Sequence, residues 1–146
     1  MRSQSQRVGF VLSVGLLYAA ACNGQTPPPA TIPMDAKATV SFANGTPSVE
    51  PAVAIVSSKG GEFQWVVGTL PDGYTVEIDF RVHDGAKGPF KAKKSSTGRY
   101  TGGSGAKIGA GEVVNKNRNG WKYDLVIRDA DGNDKGAIDP MIIIAE

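Results

Sequence analysis

A chain of 146 residues has room for one domain of ordinary size. Nineteen glycines and nine prolines break up any long helical pattern and favour short strands joined by turns. The formal charge of +2 includes Arg2 and Arg7; without them 14 basic residues face 14 acidic ones, so the composition gives no support for nucleic acid or another polyanion as a partner of the whole protein.

Residues 1–21 read as an export signal. Arg2 and Arg7 form a basic start, Val8 to Ala21 is apolar, and Ala19-Ala20-Ala21 are small residues ahead of Cys22. The apolar stretch is shorter than the roughly 20 residues a spanning helix needs. Cys22 is the only cysteine, which excludes an intrachain disulfide. Small residues directly before a lone cysteine resemble the lipobox of bacterial lipoproteins. That resemblance implies cleavage before Cys22, acylation of Cys22 and a membrane as partner. The family prefers Leu where this chain has Ala19, so cleavage at an ordinary Ala-x-Ala site and plain secretion is the alternative. Asn23 rather than Asp after the cysteine implies, by resemblance to enterobacterial sorting, the outer membrane. Residues 22–36 then form a tether. Pro27, Pro28, Pro29 and Pro33 hold it extended, and at ~3 Å per residue it spans about 40 Å.

Residues 37–146 carry strand signals in series. Lys37–Ala43 alternates, with Val40 and Phe42 on one face, and Asn44-Gly45 marks a turn. Glu50–Ser57 is a second strand that buries either Val53 and Ile55 or Ala54 and Val56; Pro51 suggests an edge or a strand start. Glu62–Gly68 places Phe63, Trp65 and Val67 together. Tyr74–His83 alternates most regularly, with Val76, Ile78, Phe80 and Val82 inward and Thr75, Glu77, Asp79, Arg81 and His83 outward. From Gly85 to Gly111 the pattern loosens, with short strands near Phe90, Tyr100 and Ala106–Ala110, and another begins at Glu112. The last arm, Trp121 to Ile127, alternates again, turns at Asp131-Gly132 and returns through Met141-Ile142-Ile143-Ile144, a run apolar enough for burial on both faces. The sum is an all-β fold: an antiparallel two-sheet Greek-key sandwich of about seven or eight strands. Val40, Phe42, Trp65, Val76, Ile78, Phe80, Leu125, Ile127, Ile142 and Ile144 are its expected core.

A Trp strand, an alternating strand ending in Phe80, Pro89-Phe90, a Gly-rich stretch, Trp121-Lys122-Tyr123-Asp124 and Asp139-Pro140 before an isoleucine strand resemble, in that order, bacterial cupredoxin-like sandwiches that lack metal. An immunoglobulin-like sandwich is the alternative. A blue-copper site needs two His, a Cys thiolate and usually a Met. This chain has one His, His83, and its cysteine lies in the lipobox, so the resemblance implies a fold and no copper, and no other cofactor is indicated.

Several constellations carry possible chemistry. Between Gly85 and Gly111 stand Lys87, Lys91, Lys93, Lys94, Arg99 and Lys107 without an acid, together with Tyr100 and Thr101-Gly102-Gly103-Ser104-Gly105. Such a mobile basic surface suits an anionic lipid or glycan, or an acidic envelope protein; a solvated loop is the plainer reading. Asp129, Asp131 and Asp134 are spaced like part of a calcium loop, yet the same residues make a hairpin turn. His83-Asp84 lacks a nucleophile, since Ser95, Ser96 and Ser104 sit in no elbow motif. Glu77 and Asp79 share a strand face, a weak glycosidase signal without a cleft. Trp121 and Tyr123 read as core. The expected function is non-enzymatic: a membrane-tethered binding module, or else an accessory subunit of an envelope complex docking through a free sheet edge.

Overall fold

The computed structural model describes residues 29–80, 88–91, 99–116 and 120–146. The expected signal, Cys22, and His83, Asp84, Lys87, Lys93, Lys94, Ser95 and Ser96 lie outside the described residues.

The first hairpin follows from two residues. Asn44 and Gly45 both take positive φ, 52° and 78°, which a two-residue turn between twisted strands requires. They join β1 (Ala36–Ala43) to β2 (Thr46–Glu50). The chain then crosses to the opposite layer for β3 (Val53–Ser57) and returns for β4 (Glu62–Val67). It crosses again for β5 (Thr75–Phe80) and β6 (Tyr100–Gly103), and back for β7 (Lys107–Glu112). It finishes with β8 (Gly120–Arg128), β9 (Asp134–Ile138) and β10 (Met141–Ala145). One sheet has the order β2-β1-β4-β7; the other has β3-β10-β8-β5-β6, with β9 also on β8. The molecule is an all-β sandwich, and each sheet draws on strands distant in sequence.

Two expectations are corrected. The sheets are mixed rather than antiparallel: β1 runs parallel to β4, and β10 parallel to β3. Each parallel pair joins strands whose connection passes through the opposite layer, a topology that alternation of side chains does not encode. The described residues also hold ten strands rather than seven or eight. β2 is obscured in the sequence by Pro47, which an edge strand tolerates because its outward N–H needs no partner. The final return arm is two strands, because Asp139-Pro140 interrupts it. β9 pairs with the far half of β8, and β10 with its start.

Alternation places the core. Val40, Trp65, Val76, Ile78, Phe80, Leu125, Ile127, Ile142 and Ile144 are all buried, while Phe42 is half-buried against Tyr74. In β3 it is Ala54 and Val56 that face inward; Val53 and Ile55 are 49% and 45% exposed. Met141 and Ile143 are half-exposed, so β10 is buried on one face only, contrary to its run of apolar residues. One end of the core is aromatic. The Trp65 ring lies 5.0 Å from Phe63, 5.0 Å from Tyr100 and 5.6 Å from Tyr123. Phe80 lies 5.5 Å from Tyr123 and 5.9 Å from Phe90. Such tilted and edge-on contacts suit the ring quadrupoles as well as burying area. Trp121 and Tyr123 belong to this cluster, as their alternation implied.

Candidate functional site

The outer face of the four-stranded sheet carries an open groove of about 800 Å³ across β1, β4 and β7. Its floor comes from residues with little side chain. Gly109 faces outward from β7, and a Cβ built on it would meet no atom within 4 Å. Two residues on, Gly111 takes a φ of 78°, and the β4–β7 register shifts between Phe63 and Gln64. That bulge bends β7 where Gly109 leaves the surface low. Gln64, half-buried, lines the groove from β4. Asp35 closes one end, where its Oδ1 accepts the Glu62 N–H at 3.1 Å. Lys91 stands at another side, because its N–H donates to the Glu112 carbonyl at 2.9 Å and so lays its segment along the edge of β7. The rim thus bears Lys37 and Lys91 against Asp35, Glu62 and Glu112. A groove lined by ammonium and carboxylate groups, a side-chain amide and the exposed Gly109 can hold a polar ligand by hydrogen bonds. It is not a uniformly basic surface.

The six basic residues singled out from the sequence therefore do not form one patch among those described. Lys91 lies in the groove, and Lys107 is exposed on β7. Arg99 belongs to the opposite sheet, where it pairs with Glu77 on β5 and sits 3.5 Å from Asp79. Arg128 grips the other Glu77 oxygen and also reaches Asp134. Partial burial would raise the Glu77 pKa, but the guanidinium hydrogen bonds from Arg128 and Arg99 outweigh it and hold the carboxyl below its usual range. Both Glu77 oxygens are thus engaged by guanidinium groups of the same sheet.

The Gly-rich run is structured as well. Tyr100 begins β6 and is buried in the aromatic cluster. A Cβ on Gly102 would fall within 2.8 Å of Ile108 and 2.9 Å of Ala106, so this glycine permits close packing of β6 on β7. Ser104 Oγ accepts the Leu70 N–H at 3.1 Å, tying the following turn to the core.

The acidic loop is a turn. Asp129 Oδ1 accepts the N–H groups of Asp131 and Asn133 at 3.0 and 2.9 Å, and its Oδ2 lies 2.9 Å from the Lys135 ammonium. The Lys135 contact, then the hydrogen bond from the Asn133 backbone, push the Asp129 pKa far down. Asp134 points instead to Arg128. The oxygens of Asp129, Asp131 and Asp134 do not converge, and among the described residues no group of three His, Cys, Asp or Glu is placed to hold a metal.

Sequence reasoning missed the groove. Its signal was the Gly-x-Gly of Gly109 and Gly111 within a strand, a spacing that marks a bulge or an exposed backbone. Scanned against protein-family models and curated protein sequences, the chain matches none.

Proposed function

We propose that this protein is a non-enzymatic binding module, lipid-anchored at Cys22 in the cell envelope, and that the groove over β1, β4 and β7 seats its ligand. The observation that carries this reading is the open floor at Gly109. A strand interior loses stability with glycine, about 0.5–1 kcal/mol relative to Ala, and here no neighbour requires the missing side chain. An unfilled position that weakens its strand is accounted for if something else occupies the space. The mixed rim favours a polar ligand with both donors and acceptors, such as a glycan or a polar protein segment. Asp35 and Ala36 line the groove, so the ligand seat lies where the tether joins the domain.

Gly109→Tyr tests the reading, since φ at Gly109 is not positive and the side chain has room. The variant should melt no lower than the parent, yet retention of the tagged protein's partner from envelope fractions should fall by ~10-fold or more. Undiminished retention would remove the groove from consideration. In the same assay Cys22→Ser should move the protein from the membrane to the soluble fraction; a variant still on the membrane would exclude Cys22 as the anchor.

A further inference from the structure

Sheet edges expose backbone groups that pair readily with another strand, and most proteins blunt them. Here β2 carries Pro47 on its edge, and the end of β7 is capped where Lys91 N–H donates to the Glu112 carbonyl and Phe90 pairs with Val113 just beyond it. β3 has neither protection along its middle. Among the described residues it ends the six-stranded sheet, pairing on one side only, with β10. In that parallel ladder Met141 N–H donates to the Ala52 carbonyl, so the groups of Ala54 and Val56 turn toward β10 and those of Val53 and Ile55 toward the free edge. The side chains of Val53 and Ile55 are also the large apolar ones most exposed in any strand of the described residues. Met141 and Ile143 lie beside them in register.

We infer that β3 pairs antiparallel with β3 of a second copy of this chain, about a two-fold axis through Ala54. The register is forced by which groups remain free. Ser57 N–H already donates to the Pro33 carbonyl at 3.1 Å, and the Ser57 carbonyl accepts from Gly61 N–H. Pro51 has no N–H to give. Among the described residues, Val53 and Ile55 remain on this edge, two residues apart, each with a donor and an acceptor that no other described residue takes up. An axis at Ala54 sets Val53 opposite Ile55 of the second copy, twice, satisfying every one of these groups and placing a β-branched pair on the outer face. Charge agrees with this direction. Glu50 precedes the strand and Lys59 follows it, both exposed. An antiparallel arrangement brings Glu50 of each copy toward Lys59 of the other, whereas a parallel one sets like charges together. The strand is short, so the dimer is a weak, concentration-dependent one.

Sedimentation of the purified full chain over a wide concentration range tests the inference. The parent should pass from monomer to dimer as concentration rises. Ile55→Lys, at an exposed position, should keep the melting temperature and raise the dimer dissociation constant by ~10-fold or more. Glu50→Lys should weaken the dimer, and adding Lys59→Glu should restore it. Lys107→Glu, on the other sheet, should change nothing. A parent that stays monomeric, or a dimer indifferent to Ile55→Lys, would overturn the inference. A double charge swap that fails to restore the dimer would overturn the antiparallel register. None of these results depends on the groove.

Discussion

At the scale of single residues, the sandwich is governed by a few side chains that alternation exposes in the sequence. Trp65 is fully buried and touches five other aromatic rings. Its place was legible because Phe63, Trp65 and Val67 share a period of two in a run too short for a helix. The fate of Tyr100 was not, since a lone tyrosine between glycines gives no period. Burial also sets the chemistry of these rings. It pushes the Tyr123 hydroxyl up to about 12, from an ordinary value of 10.0. The folded protein therefore keeps this proton where the unfolded chain loses it. The linked stability is fully present below pH 10 and is lost as pH rises through the two values. Denaturant unfolding at a series of alkaline pH values should show that decline, and Tyr123→Phe should make it shallower. An identical decline in the variant would mean that Tyr123 is not the group responsible.

At the scale of elements, β5 and β8 were the most legible. Both alternate cleanly, and both lie in the middle of a sheet with one face on the core. β2 and β9 were not, because a proline or a glycine breaks the pattern and only their edge positions make this tolerable. The turn between β8 and β9 shows how one composition serves two readings. Its Asp and Asn residues resemble calcium ligands, yet Asp129 spends its oxygens on backbone N–H groups and Lys135. Its depressed pKa means that this contribution to stability is present above the ordinary carboxylate value of 3.8 and is lost only as pH falls well below it. Asp129→Ala should lower the melting temperature at neutral pH and lessen the further loss in acid. Added calcium should not raise the melting temperature of the parent; a rise that Asp129→Ala abolishes would contradict the assignment of this loop as a turn.

At the scale of the whole molecule, the layers follow from hydrophobic period, while the pairing of strands does not. Nothing in Val53–Ser57 or Met141–Ala145 says that they run parallel, since both strands are apolar enough for either arrangement. The basic residues illustrate the same limit. Lys91, Arg99 and Lys107 are close in sequence, yet the chain changes sheets between Arg99 and Lys107, and Arg99 is drawn into an ion-pair network on the far face. What sequence proximity suggested as one surface, topology divides. The groove arises from the opposite cause: Asp35, Gln64, Lys91 and Gly109 are distant in sequence and meet only because β1, β4 and β7 are neighbours. Among the described residues it brings charged side chains, a side-chain amide and glycine backbone together with room for a ligand, on a sheet whose other face is packed into the core.

The central claim is that this groove is occupied in the envelope. The most direct measurement places a photo-crosslinking residue at Gln64, in the groove, and in a separate variant at Thr101, on the opposite sheet, and irradiates intact cells. The account predicts a discrete adduct from position 64, its loss when Gly109→Tyr is added, and no such adduct from position 101. An adduct from position 64 that survives Gly109→Tyr, or no adduct there at all, would contradict it.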